Sequence, residues 1–363
     1  MLKSALNLLL WLITITIAIV TFMAVAAAYV SPAKIWFLAL FGLLFIYLYL
    51  IAFIWMLTLS FRHRKMMLII LIPLIAGLPA FVAHWNFTSS NKNATGENTI
   101  KVLSFNVRVF DLYNWTHNLE TRSNIFNFLK KSDAGIYCFQ EYYTSKLVPF
   151  NNTDSIKSLL GIDYVHTLLP IIERDSDQWG IATFSKYPML KKETVFTDKE
   201  SANGCIATDL LIGNDTVRVY NIHLQSVRLA KNDYIFVSEF NNKDNTQKMK
   251  GSRQIVQRLK KAFIKRAHQV DKVTAHISAC PYKVIVAGDF NDTPASYAYN
   301  QISNGLTDSF LSCGKGLSST YAGMFPGLRI DYILHSKDIK SIDYIRPLMH
   351  LSDHYPIIST LNF

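Results

Sequence analysis

The stretch that decides the fold runs from Val284 to Pro294 and reads Val-Ile-Val-Ala-Gly-Asp-Phe-Asn-Asp-Thr-Pro. A short run rich in β-branched residues ends at Gly288, and acidic and amide side chains follow it. This pattern predicts a buried strand that delivers polar groups to the edge of a sheet. Asp289 and Asn291 are two residues apart, so they share a face if the extended geometry continues. An ordinary Asp/Asn turn after a core strand fits the same letters.

The charge of the chain is distributed unevenly. The 363 residues carry a net charge of +11, and residues 1–85 contribute five basic residues and no acidic one, which leaves +6 for the rest. A mildly basic remainder suits a polyanionic substrate or anionic lipid head groups. The four cysteines lack the spacing of a metal site, and no required disulfide is predicted.

Three apolar segments predict that residues 1–85 form a transmembrane region. The segments are 6–30, 35–59 and 66–83. The first two exceed the roughly 20 residues that a membrane-crossing helix needs. The third is shorter and contains two prolines, which a membrane helix tolerates when its neighbours satisfy the freed backbone groups. A cleaved signal peptide fits less well, because the first apolar run is too long and a second run follows it directly.

Basic residues predict the orientation of this region. Lys3 and the basic loop Arg62–Lys65 favour the cytoplasmic side of the membrane. Three spans would then place everything after Trp85 outside the cytoplasm, on the periplasmic or exoplasmic side. If the third span is absent, the same residues face the cytoplasm.

Residues 86–98 predict a flexible linker, because they are rich in Ser, Asn, Thr and Gly. From Thr99 the pattern changes to alternating strand-like and helix-like segments, which predicts an α/β domain over residues 99–363. Strands are predicted at 101–109, 134–139, 164–169, 180–185, 205–212, 216–224 and 329–334. Helices are predicted at 122–131 and 251–279.

The long predicted helix carries a strongly basic face. Six cations repeat along it, at Arg253, Arg258, Lys260, Lys261, Lys265 and Arg266. Two interpretations remain open for this face, a solvated surface and a ligand-binding patch.

Six strand-like runs end in, or carry, polar residues that are costly to bury without partners. They are Asn106, Gln140 with Glu141, His223, Asp289 with Asn291, Asp331, and Asp353 with His354. Carboxylates, amides and imidazoles without cysteine indicate a hard divalent ion, Mg²⁺ or Mn²⁺. Two histidines beside carboxylates indicate a general base and a phosphate contact. A serine nucleophile is less supported, because the chain has no Gly-x-Ser-x-Gly elbow.

These motifs, taken in order, resemble the endonuclease/exonuclease/phosphatase superfamily over about residues 99–363. The motifs are Ser104-Phe-Asn106-Val, Gln140-Glu141, Gly180-Ile-Ala-Thr-Phe-Ser185-Lys-Tyr-Pro188, Asn221-Ile-His223-Leu, Gly288-Asp289-Phe-Asn291-Asp-Thr-Pro294, Arg329-Ile-Asp331-Tyr-Ile-Leu and Ser352-Asp353-His354-Tyr-Pro356. The resemblance implies a four-layer α/β/β/α sandwich with two mainly antiparallel sheets. The apolar N-terminal region lies outside it.

The resemblance also implies a metal site that holds Mg²⁺ or Mn²⁺. Glu141 would be the main ligand, with Asn106 and Asp353 nearby. Asn106 would also contact the substrate.

The catalytic roles implied by the resemblance fall on five residues. His354 would contact the scissile phosphate or act as base, with Asp331 as its orienting partner. Asp289 would position or deprotonate the attacking water. Asn291 would bind the phosphate, and His223 would stabilise the charge that develops on it.

The sequence therefore predicts a membrane-anchored, metal-dependent phosphoesterase. A nuclease is favoured, because nuclease activity is the most general one in the superfamily that the motifs resemble. A sphingomyelinase-like or phosphoinositide-type lipid phosphoesterase is the alternative, so the predicted partners are a nucleic acid or lipid head group and the lipid bilayer. The alternative of another class is a catalytically inactive, membrane-tethered binding protein on the same fold.

Overall fold

The computed structural model describes residues 2–59, 63–86, 99–198, 200–227, 233, 236, 239–240, 243–323 and 327–363. The chain divides into two compact units. The first comprises Met1–Ala83, Gln225–Gln269 and Asp292–Asn300, and the second comprises His84–Leu224, Val270–Asn291 and Gln301–Phe363. The first unit thus takes in two segments beyond the predicted membrane region, and the predicted boundaries at 1–85, 86–98 and 99–363 stay predictions.

Apolar helices form most of the first unit. Their bounds are α1 Leu2–Ala26, α2 Leu38–Leu43, α3 Phe45–Thr58 and α4 Arg64–Val82. Two helical stretches, Lys3–Ala26 and Arg64–His84, are long and apolar enough to cross a membrane or, at the N-terminus, to serve as a signal sequence.

The prediction of one continuous helix over 35–59 is wrong. This segment begins with turns and forms two helices that are interrupted at Leu44, whose backbone angles are φ −94° and ψ 6°. The interruption follows Gly42, and glycine lowers helix stability by about 1 kcal/mol relative to alanine. Gly42 also lies against Ala27, where a Cβ atom would come within 2.7 Å of the alanine side chain. Close helix packing therefore accounts for the glycine at this position.

The second unit contains twelve β-strands among the residues that the structure describes. Their bounds are β1 Thr99–Asn106, β2 Ile136–Ser145, β3 Tyr164–Glu173, β4 Asp177–Ser185, β5 Met189–Thr197, β6 Gly204–Ile212, β7 Asp215–His223, β8 Lys283–Asp289, β9 Leu306–Asp308, β10 Asp331–Ser336, β11 Lys340–Ile345 and β12 Ile357–Asn362. The helices that follow α4 are α5 Thr121–Ser132, α6 Asn152–Leu160, α7 Asn245–Ser278, α8 Tyr297–Ser303 and α9 Ser309–Cys313.

The strands form two six-stranded sheets. The orders are β11-β12-β1-β2-β4-β3 and β5-β6-β7-β8-β10-β9. In each sheet one central pair is parallel, β1 with β2 and β7 with β8, and the other pairs are antiparallel. The predicted sandwich of two mainly antiparallel sheets is confirmed.

Apolar side chains from both sheets fill the space between them. Val102 and Cys138 of one sheet share a core with Val219 and Ile285 of the other. The outer face of the first sheet is covered by α5 and α6 through side chains such as Ile125. The alternation of inward and outward residues along each strand therefore produces a layered fold with its core between the sheets.

Three local expectations fail. The strand predicted at 101–109 ends at Asn106, and the next turn, Arg108–Asp111, has four consecutive positive φ angles of 43–57°. β5 and β11 carry polar residues on exposed faces and were not predicted. Arg266 is 2% exposed rather than part of the basic surface, because its guanidinium pairs with Asp292 at 2.6 Å.

The predicted flexible linker begins with an ordered residue. Asn86 exchanges two backbone hydrogen bonds with Gly316, and its side-chain amide donates to the carbonyl oxygens of Phe310 and Leu311, each at 2.8 Å. Asn86 is therefore ordered, and the rest of the predicted linker, residues 87–98, lies outside the described residues.

Candidate active site

Three strands of the second sheet deliver acidic and imidazole side chains to one edge. β7 and β8 are parallel and place His223 beside Asp289. β10 is antiparallel to β8 and places Asp331 on the other side of Asp289. The strand register alone therefore brings three of the predicted residues together.

The first sheet contributes Asn106 and Glu141 to the same place. Asn106 ends β1 opposite Gln140, and the next residue of β2, Glu141, has φ +47° within a register shift of that strand. The Asn106 amide donates a 3.0 Å hydrogen bond to Oδ2 of Asp289. The Glu141 carboxylate lies 4.0 Å from Nε2 of His223. These contacts join the edges of the two sheets.

Gly288 allows β8 to reach this position. Its φ is +151°, and a Cβ atom there would come within 2.0 Å of the Ile222 carbonyl oxygen. Any side chain would therefore push β8 away from β7, immediately before Asp289.

We expect Gly288→Ala to destabilise the full chain in detergent by about 3 kcal/mol, measured by urea unfolding. Gly213→Ala is the matched control, because Gly213 has φ +61° with open space around it. That change should cost only about 1 kcal/mol. Equal effects of the two substitutions would contradict the close approach at Gly288.

Asp289 is the most highly connected group of the site. Its Oδ1 accepts from the Asn291 backbone N–H at 2.8 Å, and its Oδ2 accepts from the side-chain amides of Asn106 and Asn291. The Nε2 atoms of His223 and His354 lie 3.7 and 3.8 Å from Oδ2. Burial raises the pKa of Asp289, and the charge of Asp331 adds to this effect.

Asp331 and His354 form a buried pair. Nδ1 of His354 lies 3.0 Å from one carboxylate oxygen of Asp331 and 3.2 Å from the other. Burial alone would lower the pKa of His354, but the carboxylates of Asp331 and Asp289 outweigh it and hold that pKa well above its usual value. These carboxylates thus favour the protonated form of the imidazole, whose Nε2 lies 3.8 Å from Oδ2 of Asp289.

Glu141 and Asp353 lie on the more open side of the site. Burial, followed by the charge of Asp353, raises the pKa of Glu141 to about 7. The Glu141 side chain is 36% exposed, so water reaches its carboxylate. Arg108 lies 3.5 Å from Asp353 and stacks on Trp115 at 4.4 Å.

This donor set fits a hard divalent cation. Repelling carboxylates at an open site, with the Asn106 amide adjacent, are the oxygen ligands that Mg²⁺ and Mn²⁺ prefer. Among the described residues, a second possible ligand group comprises Asp289, Asp331 and His354, whose ligand atoms lie within 4.8 Å of one another. In that group the Asp331 carboxylate contacts Nδ1 of His354, and this contact orients the imidazole ring.

Two supporting hydroxyl groups were not found from the sequence. Oγ1 of Thr320 accepts from the backbone N–H groups of Ile330 and Asp331. Oγ of Ser352 donates to the Asn106 carbonyl oxygen and accepts from the His354 backbone N–H. Serine and threonine are so common in loops that their presence in the sequence does not indicate such roles.

A buried amide pair connects the sheets beneath the site. The Gln140 side chain donates to Oδ1 of Asn221 at 2.8 Å, and Asn221 donates to the Ala182 carbonyl oxygen at 2.9 Å. Both belong to motifs quoted from the sequence, and the structure gives them a supporting place next to Glu141 and His223.

The fold and site together define a phosphoester hydrolase. A family profile described as the Endonuclease/Exonuclease/phosphatase family matches residues 103–354, and the chain belongs to that family. A second profile, for a domain of unknown function, matches residues 7–84. No curated protein matches the chain.

Three solved structures that share the fold have low sequence identity to this chain. An endonuclease/exonuclease/phosphatase family protein from Leptotrichia buccalis is 15% identical, with a TM-score of 0.51, over 73% of this chain and 100% of that one. A mannosyl-6-phosphatase from Bacteroides thetaiotaomicron gives the same four values. A humanized TDP2 from D. rerio is 16% identical, with a TM-score of 0.50, over 74% of this chain and 100% of that one.

Proposed function

We propose that this chain is a membrane-anchored phosphoesterase that depends on a divalent metal ion. The observation that carries the proposal is the contact set around Asp289, where two imidazoles and two amides converge on one buried carboxylate. Burying such a set of polar groups costs free energy, because each group must find a hydrogen-bond partner, and a catalytic role would account for that cost. The same cost argues against a catalytically inactive binding protein.

Each residue of the candidate site has its own role in the attack of water on a phosphoester. Asp289 positions a water molecule and accepts its proton, because its raised pKa brings it closer to the operating pH. The His354 cation, oriented by Asp331, donates Nε2–H to a phosphoryl oxygen. His223 and Asn291 add donors where negative charge develops. A divalent ion held by Glu141, Asp353 and Asn106 would supply Lewis acidity to the phosphoryl group.

Removing the Glu141 carboxylate tests the metal site. We expect Glu141→Gln to weaken Mn²⁺ binding, measured by electron paramagnetic resonance or calorimetry, by about 100-fold or more. Glu173→Gln, at the exposed end of β3, is the charge-matched control and should bind Mn²⁺ like the unmodified chain. Unchanged affinity in Glu141→Gln would contradict the proposed ligand set.

The substrate is proposed to be a nucleic acid, with a lipid phosphodiester as the second candidate. The apolar helices favour the lipid, since a tether to the bilayer raises the effective substrate concentration. Turnover of DNA, RNA, sphingomyelin, phosphoinositides and bis-p-nitrophenyl phosphate by the full chain with Mg²⁺ or Mn²⁺ separates these candidates. Failure on all five would favour the inactive binding protein.

Membrane anchoring is supported by what the apolar helices expose. Leu8, Leu12 and Ile19 of α1 are 55–61% exposed, and Ile72 and Ile75 of α4 are 63–64% exposed. A core helix of a soluble protein would bury these side chains. Resistance to alkaline carbonate extraction would support the anchor, and release into the supernatant would contradict it.

The proposed topology places the catalytic domain outside the cytoplasm. The positive charges of Lys3 and of residues 62–65 favour the inner side, and this placement still requires the interrupted α2–α3 segment to cross the bilayer. Protease accessibility in intact cells or spheroplasts tests it. Protection of the domain until lysis would contradict it.

A further inference from the structure

We propose that the N-terminal half of α7 docks on anionic phospholipid head groups through one basic face. This face is defined by Lys250, Arg253, Lys260 and Lys261. The inference rests on the proposed membrane anchoring and adds a lipid-binding surface to it.

The charge of this half of α7 is one-sided. Residues 245–265 contain seven Lys or Arg residues, and the first acidic residue after them is Asp271. A helix that faced only water would ordinarily mix both signs. Arg258, which is not part of the basic face, pairs with Asp233 at 3.0 Å. The run of cations itself contains no carboxylate within residues 245–265. It is complementary to a surface of phosphates, and a membrane presents such a surface over its whole area.

The cations are arranged on one side of the helix. Arg253, Lys260 and Lys261 follow Lys250 by 3, 10 and 11 residues. At 3.6 residues per turn these intervals are close to one turn and to three turns, so the four side chains lie on the same side of the helix. All four are exposed, whereas Ala262 and Phe263 are 4% and 2% exposed on the packed side. The basic face therefore points away from the protein core.

One contact directs this face toward the apolar helices of its own unit. The ammonium group of Lys260 lies 5.2 Å from the ring centroid of Trp36, in the connection between α1 and α2. The same connection carries the exposed aromatic residues Tyr29 and Phe37, at 59% and 43%. Aromatic residues that flank a membrane-crossing helix mark the level of the head groups. Lys260 is therefore placed at that level.

Exposed apolar side chains flank the basic face. Met249 is 76% exposed and Val256 is 36% exposed. An interfacial helix combines cations that contact phosphates with apolar residues that enter the acyl boundary. A groove for nucleic acid would not need the apolar flank, so the lipid surface fits these residues better.

A fluorescent reporter on the basic face tests the proposal in the full chain. Gln257 shares the face and is exposed, and Gln257→Cys can carry an environment-sensitive dye. Cys280 and Cys313, which are partly exposed, are replaced by serine to keep labelling specific. The chain is reconstituted in nanodiscs of phosphatidylcholine, with or without about 30% phosphatidylglycerol.

Anionic lipid should increase quenching of the dye by head-group-labelled lipid several-fold, and about 0.5 M NaCl should reverse the increase. Replacing Lys250, Arg253 and Lys261 by glutamine should reduce the anionic-lipid effect about tenfold. The charge-matched control replaces exposed lysines elsewhere and should leave it unchanged: Lys130→Gln, Lys131→Gln and Lys315→Gln.

Other outcomes overturn the inference. Equal quenching with and without phosphatidylglycerol, or an equal loss in the control variant, would show that the face does not recognise anionic lipid. Protection of the dye by an oligonucleotide, without any response to anionic lipid, would assign the face to nucleic acid. Failure of the chain to stay in membranes during carbonate extraction would overturn the anchor together with the inference, whereas a stable anchor without the lipid effect removes the inference alone.

Discussion

Replacing Asp289 with asparagine is expected to lower kcat by about 10³-fold and to change KM only a few-fold. The substitution removes the negative charge that the His223 and His354 imidazoles face at 3.7 and 3.8 Å. Both carboxylate oxygens accept hydrogen bonds from Asn106 or Asn291, so an amide must oppose one donor with another. A loss of about 1–3 kcal/mol in unfolding free energy accompanies this mismatch. Steady-state kinetics on bis-p-nitrophenyl phosphate and urea unfolding measure the two effects.

The control for this prediction is Asp338→Asn, which removes the same charge from an exposed turn between β10 and β11. It should leave kcat and stability unchanged within experimental error. A folded Asp289→Asn variant that kept full kcat would show that the carboxylate does not act on water. A rise in KM without a fall in kcat would assign Asp289 to substrate binding alone.

The main features of the catalytic fold were predictable from local sequence patterns. Buried strands such as β8 are nearly continuous β-branched runs, and the hairpin of β6 and β7 surrounds Gly213-Asn-Asp. Strands such as β5 and β11 were missed because they alternate weakly and owe their position to pairing with β6 and β12. Pairing with neighbouring strands, rather than intrinsic β-propensity, determines that those segments form strands.

The membrane region shows a second limit. Hydropathy identifies apolar segments but does not report helix continuity, so the interruption at Leu44 was invisible in the sequence. In the same unit, Arg266 was predicted to lie on the exposed basic face of the long helix, because the residue is basic and the helical pattern does not show its partner. Its buried pair with Asp292 depends on residues 26 positions apart in the chain.

The residues of the candidate site could be named in advance, because polar groups at strand ends are conspicuous against apolar runs. The distances between them could not be predicted, since Asn106 and Asp289, which are in contact, are 183 residues apart in the sequence. The left-handed turn at Arg108–Asp111 was equally hidden. Four non-glycine residues with positive φ are unfavourable locally, so the surrounding packing of Phe110 against Phe126 and Tyr142 must hold them.

Asp331→Asn is expected to lower kcat by about 10²–10⁴-fold and to shift the pH profile in a defined direction. The carboxylates of Asp331 and Asp289 hold the pKa of His354 well above its usual value. If the imidazole acts as a cation, activity is present below that pKa and is lost as the pH rises through it. Removing Asp331 lowers the pKa, so the loss at high pH should begin at a lower pH.

A conservative variant separates the charge of Asp331 from its position. Thr320→Val keeps the carboxylate but removes the hydroxyl that accepts from the Ile330 and Asp331 backbone N–H groups. We expect a fall in kcat of about tenfold, with the high-pH limb of kcat/KM close to its original place. If Asp331→Asn instead moved only the low-pH limb, His354 would act as a neutral base. An unchanged profile in Asp331→Asn would remove the pair from the mechanism, because the Asp331 carboxylate is the group that contacts Nδ1 of His354.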